Sequence, residues 1–118
     1  MSDRIGPVLA ALADPTRRHV VETLLREGAT SVPALTASLP MSRQAVAKHL
    51  AALGDAGLVE RVPQGARRVS YRLRPGALAP AASWMGEAAA AWDARLGRLK
   101  GAVERRAPST ARRRPAAP

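Results

Sequence analysis

Ile5, Val8, Leu9 and Leu12 fall at i, i+3, i+4 and i+7, the spacing of one helix face, which predicts a first helix near the start of the chain. Asp14-Pro15 then interrupts the pattern. Aspartate caps helix N-termini and proline suits the first helical position, so a second helix begins here. Its expected buried stripe is Val20, Val21, Leu24 and Leu25, and Gly28 closes it. A short third helix is expected from Pro33 to Leu39, with Leu35 and Leu39 pointing inward. Pro40-Met41-Ser42 makes a tight turn, and Ser42 caps a fourth helix running from Arg43 to about Ala56, stopped by Gly57. This helix hides Val46, Leu50 and Leu53. Two helices joined by so short a turn, the second well capped, form a helix-turn-helix.

After Gly57 the apolar period changes to that of extended chain. Leu58 to Val62 reads as a strand, Pro63 to Arg67 as a loop, and Arg68 to Leu73 as a returning strand. In the second strand Val69, Tyr71 and Leu73 alternate with Arg68, Ser70 and Arg72, so one face is apolar and the other cationic. This hairpin is a wing. Pro75 and Pro80 interrupt the approach to a last helix, placed from about Ala81 to Arg106. Its seam of Met85, Ala89, Trp92, Leu96, Leu99 and Val103 suits helix–helix packing and continues beyond what a small domain covers by itself. From Ala107 to Pro118 the chain is dominated by Pro, Ala and Arg without apolar periodicity, and reads as a disordered basic tail. The expected organisation is one domain over 1–106 and a tail over 107–118. The expected fold class is mostly α with a small β-hairpin: a winged helix-turn-helix of about five helices and a two-stranded wing.

Composition sharpens this picture. A chain of 118 residues makes one modest core, and with no Phe, two Trp and one Tyr that core gains little burial per residue. Covering more surface against a second copy would help, so a dimer is expected. The formal charge is +10, from 19 Lys and Arg against 9 Asp and Glu. Such an excess favours polyanions through release of condensed counterions, although an Arg-, Ala- and Pro-rich coding bias also raises it. The absence of cysteine excludes disulfides, thiolate metal sites and thiol redox sensing. No apolar run reaches the roughly 18–20 residues that span a bilayer, and Met1-Ser2-Asp3-Arg4 lacks the form of a secretory signal, so a cytoplasmic protein is expected, with no membrane partner.

Candidate chemistry lies on the fourth helix and the wing. Arg43, Gln44, Ala47 and Lys48 share one face near the helix start, opposite the core stripe. In a major groove, Gln44 can bond adenine through two atoms, Arg43 guanine or a phosphate, and Ala47 allows close approach. Ser42 and the free amides at the helix start suit a phosphate. Gln64, Arg67, Arg68 and Arg72 in the wing supply a second cationic surface, able to reach the backbone or the minor groove. An exposed polar face on an ordinary surface helix would explain the first set alone, but not the two together.

The segments Leu12-Ala-Asp-Pro-Thr-Arg-Arg18, Met41-Ser-Arg-Gln-Ala-Val-Ala-Lys-His-Leu50, Ala56-Gly-Leu-Val59 and Gly65-Ala-Arg-Arg-Val-Ser-Tyr-Arg-Leu73 together resemble the arsenic-repressor (ArsR) type of winged-helix regulator, over roughly residues 5 to 104. The resemblance implies duplex DNA as partner, an imperfect palindrome as target, and a role as local repressor. It also implies a homodimer built from the first and last helices, here Ile5, Val8, Leu9, Leu12, Met85, Ala89, Trp92, Leu96, Leu99 and Val103. Recognition then falls on Ser42, Arg43, Gln44, Ala47 and Lys48, with Arg67 and Arg68 in the wing. Many such regulators sense metals through a cysteine pair on the helix before the recognition helix, or through Asp and His on the last helix. This chain departs from both patterns: Leu35-Thr-Ala-Ser-Leu39 carries no thiol, and the last helix carries Glu87, Asp93 and Glu104 but no His. No metal and no cofactor is therefore expected.

His49, between Lys48 and Leu50, reads as a packing or phosphate-contacting residue. His19 has Arg17 and Arg18 beside it, which oppose a bound cation. Trp84 and Trp92 read as packing rather than as the walls of a ligand pocket. No Gly-rich phosphate loop or paired-carboxylate motif appears, and both histidines lie on helices with other duties, so an enzyme is not expected. Two other classes remain: a winged-helix module that binds only proteins, and a low-specificity DNA-coating protein aided by Arg105, Arg106, Arg112, Arg113 and Arg114. The residues identify no inducer, small molecule or protein.

Overall fold

A computed structural model of the chain describes residues 3–106. The elements run α1 (Ile5–Leu12), α2 (Pro15–Glu27), β1 (Thr30–Ser31), α3 (Val32–Ser38), α4 (Arg43–Asp55), β2 (Val59–Pro63), β3 (Val69–Leu73) and α5 (Ala79–Arg106). All five helices and the hairpin anticipated from the periodicity are present. The expected tail, 107–118, lies outside the described residues.

Local chemistry sets each helix start. The Asp3 carboxylate accepts hydrogen bonds from the Ile5 and Gly6 amides, each 3.0 Å, and so caps α1 from one residue before its formal N-cap. Asp14 accepts from Arg17 N at 2.9 Å, with Pro15 at the first helical position of α2. Ser31 and Ser42 cap α3 and α4 in the same way, each accepting at 3.2 Å from the amide three residues on. At the far end of α4, Gly57 takes a φ of 80°, a left-handed turn that costs glycine nothing and sends the chain into β2.

The sheet has one more strand than the hairpin. Thr30–Ser31 pairs antiparallel with β3, giving the order β1-β3-β2. Two residues are too short for a period-2 signal, so the sequence pattern does not reveal β1. Its second residue also caps α3, which therefore starts one residue earlier than Pro33. Proline at the second helical position, as with Pro33 in α3 and Pro80 in α5, removes an amide that has no intrahelical partner there. Pro80 consequently lies inside the first turn of α5 instead of before it.

Residues up to Ala82 form one compact unit, and the rest of α5 forms a second. In the first unit the core gathers Val8, Ala11, Val20, Val21, Leu24, Leu35, Val46, Leu50, Leu53, Leu58, Val59 and Ala81, with Tyr71 and Leu73 packed against it. Leu25 is a correction to the expected α2 stripe: it is 62% exposed. It sits about 140° round the helix from Val20, whereas Thr23 lies within the buried arc. Thr23 tolerates burial because its hydroxyl donates to the His19 carbonyl at 2.9 Å.

The second unit is a single stretch of helix. Along it Trp84, Met85, Trp92, Leu96, Leu99 and Val103 are all exposed, Trp92 by 58%. Among the described residues no helix is long and apolar enough to cross a membrane.

Candidate nucleic-acid interface

The Ser42 cap fixes where α4 begins, and the helix period then sorts its side chains. Val46, Leu50 and Leu53 are buried, while Arg43, Gln44, Ala47 and Lys48 are exposed together on the other side. Ser42 is exposed as well. The five residues expected to meet DNA from this helix therefore form one continuous patch at its N-terminal end. That end carries the free amides and the positive pole of the helix dipole. Ser42 is engaged as the cap, but among the described residues Arg43, Gln44, Ala47 and Lys48 form no salt bridge or side-chain hydrogen bond.

His49 ties this helix to its support. Its Nδ1 lies 3.9 Å from the Asp14 carboxylate, and its side chain is mostly covered. The carboxylate that caps α2 thus also faces the inner flank of α4, which agrees with reading His49 as a packing residue. Arg18 in turn reaches back to the Leu12 and Ala13 carbonyls at 2.6 and 3.2 Å, closing the turn between α1 and α2. His19 faces Glu22 on the surface at 3.9 Å.

The wing turns tightly over Gln64 to Arg68, where the Gln64 amide donates to the Arg68 carbonyl at 2.8 Å. Gln64, Arg67 and Arg68 are exposed, and the two arginines form no ion pair among the described residues. Arg72 behaves differently from the others. It stands directly opposite Glu60 in the β2–β3 ladder, and both its Nε and one terminal nitrogen lie 2.7 Å from Glu60 Oε2. Arg74 approaches the other carboxylate oxygen at 3.5 Å. Arg72 is therefore paired inside the wing, unlike Arg67 and Arg68. The strand face expected to be cationic also contains Ser70, which is buried, β3 being packed against α2 and α3. Glu60 was legible only as a charge in the strand; its role depends on the register that pairs it with Arg72.

The expected dimer residues divide similarly. Met85, Ala89, Trp92, Leu96, Leu99 and Val103 are exposed on α5. On α1, Val8 is buried in the protomer's own core and Leu12 packs against that core, leaving Ile5 and Leu9 half-covered. Among the described residues no three His, Asp or Glu side chains gather closely enough to hold a metal ion.

Comparison with known proteins places this geometry in context. A family model described as a helix-turn-helix domain matches residues 12–62. The HTH-type transcriptional regulator Rv2034 of Mycobacterium tuberculosis is 51% identical over 69 residues, which cover 58% of this chain and 63% of that protein. Among solved structures, an ArsR-like transcriptional regulator from Rhodococcus sp. RHA1 superposes with a TM-score of 0.74 at 40% identity, covering 86% of this chain and 91% of the other. The homodimeric winged helix-turn-helix DNA-binding domain of Mb0332 from Mycobacterium bovis superposes with a TM-score of 0.54 at 29% identity, covering 81% and 84% of the two chains.

Proposed function

The chain belongs to the ArsR family of helix-turn-helix transcriptional regulators, and from that premise we propose that it represses transcription by binding an imperfect palindrome as a homodimer. The observation that carries the reading is the patch of Arg43, Gln44, Ala47 and Lys48 at the Ser42-capped start of α4, exposed and without ion pairs among the described residues while the opposite side of the helix is anchored in the core. Seated in a major groove, Gln44 reads adenine, Arg43 reads guanine or holds a phosphate, and Lys48 takes a neighbouring phosphate. Arg67 and Arg68 reach the backbone or minor groove from the wing.

Dimerisation through the apolar stripe of α5, aided by Ile5 and Leu9 of α1, is supported by two facts. Six large apolar side chains are uncovered in a single copy, and a structural relative is a homodimer. Two recognition helices related by a two-fold axis would read half-sites about one helical turn apart. The chain works without metal in this reading, because it has no cysteine and its last helix has no histidine. In this reading the chain works in the cytoplasm, on the chromosome.

The test is fluorescence anisotropy of the purified chain on the duplex upstream of its own gene, against a scrambled duplex, over a salt series. Selective binding that persists at physiological salt supports the reading. Equal binding to both duplexes that collapses as salt rises overturns it in favour of a DNA-coating protein driven by net charge.

A further inference from the structure

Between the wing and the C-terminal end of α2 lies an open groove of about 970 Å³, also bordered by β1 and the start of α3. The volume is within the ~300–1,000 Å³ typical of small-molecule sites. Arg61, Arg67 and Arg68 line it, and among the described residues Glu27 is the one carboxylate in its wall. None of the three arginines forms a salt bridge among the described residues, in contrast to Arg72 and Arg74 on Glu60. Three guanidinium groups against one carboxylate leave two uncompensated positive charges facing the same space. Apolar surface is present beside them, from Val32, Pro33 and Val69.

The wall also contains Ser70, a polar residue only 5% exposed. Its hydroxyl has no hydrogen-bond partner among the described residues, although Thr23, Thr30, Ser31 and Ser38 in the same groove each make one. Ser70 Oγ is not among the fully buried unpaired side-chain atoms, so it is reachable from the groove and stands free to donate to a ligand's acceptor.

We propose that this groove binds a small organic phosphate and that the occupied groove releases DNA. A phosphate monoester carries about −1.5 to −2 charge, which matches the two uncompensated guanidinium charges. Its oxygens are good acceptors for guanidinium and serine donors, and the apolar wall receives its organic part. Arg67 and Arg68 then face the ligand and no longer the DNA backbone. This regulation rests on the DNA-binding reading above, whereas the site itself does not.

Isothermal titration of the full chain with phenyl phosphate and with inorganic phosphate tests the site. Phenyl phosphate is expected to bind in the submillimolar range, at least tenfold tighter than inorganic phosphate. Ser70→Ala and Arg61→Gln are each expected to weaken it at least fivefold without shifting the melting temperature. If Ser70→Ala fails to fold, Arg61→Gln, at an exposed position, still decides. Binding that ignores the variants, or no binding, overturns the site. In anisotropy, phenyl phosphate is expected to displace DNA where sodium chloride of equal ionic strength does not; equal displacement by both overturns the regulation. A chain that binds phenyl phosphate in this variant-sensitive way but binds no DNA upholds the site and refutes the DNA-binding reading instead.

Discussion

Glu60 and Arg72 face each other across the β2–β3 ladder with the guanidinium 2.7 Å from the carboxylate, and the same carboxylate lies 3.5 Å from Arg74. One acidic residue therefore withholds two of the wing's cations from any external anion. Glu60→Gln should free both. Affinity for every duplex is expected to rise several-fold at low salt, with a steeper salt dependence and less discrimination between sequences. Stability should fall by less than about 1 kcal/mol, because the pair is half-exposed and well screened. An unchanged salt slope in anisotropy would place Arg72 and Arg74 away from the DNA altogether.

Gln44 stands in the middle of the exposed α4 patch. Gln44→Ala is expected to lower discrimination at one base pair of each half-site by about 1–3 kcal/mol, leaving binding to unrelated sequences nearly unaltered. Competition binding against a set of single-base operator variants measures this directly. A uniform loss over all variants would mean that Gln44 contacts no base.

The Ser42 hydroxyl accepts from Ala45 N at 3.2 Å. Ser42→Ala leaves that amide without its cap and should cost about 1 kcal/mol, whereas Ser42→Asp should retain stability and oppose phosphate binding. Thermal unfolding separates the two variants by stability, and DNA titration separates them in the opposite order. Equal melting temperatures would show that water caps the helix as well as serine does.

Leu96 lies within the uncovered stripe of α5. Leu96→Asp would bury an unpaired carboxylate in a helix–helix seam and should split the dimer while leaving the protomer folded. Sedimentation velocity is expected to show half the mass, with an unchanged circular dichroism spectrum. A variant that still sediments as a dimer would move the interface elsewhere.

Much of this protein is legible residue by residue. The caps at Asp14 and Ser42 and the stop at Gly57 announce the helix-turn-helix, because capping is local chemistry and needs no tertiary information. The exposed set on α4 follows from the helix period alone. What escapes is set by pairing across the chain. β1 exists only because β3 presents a free edge to Thr30 and Ser31, and Glu60 becomes a clamp only through its register with Arg72. Ser70 appears as one more outward strand position until α2 and α3 pack against β3. Leu25 is mistaken for core because an apolar residue at the edge of an arc satisfies the pattern as well as one at its centre.

The uncovered stripe of α5 has a consequence for how such a protein would behave in a genetic circuit. When the DNA-competent species is a pair, its abundance at low expression follows the second power of the number of chains. Halving the chains then removes about three-quarters of the pairs, by mass action alone. Promoter output would thus respond to expression level with a threshold rather than in proportion, and the sharpness of that threshold would be written in the apolar side chains between Trp84 and Val103.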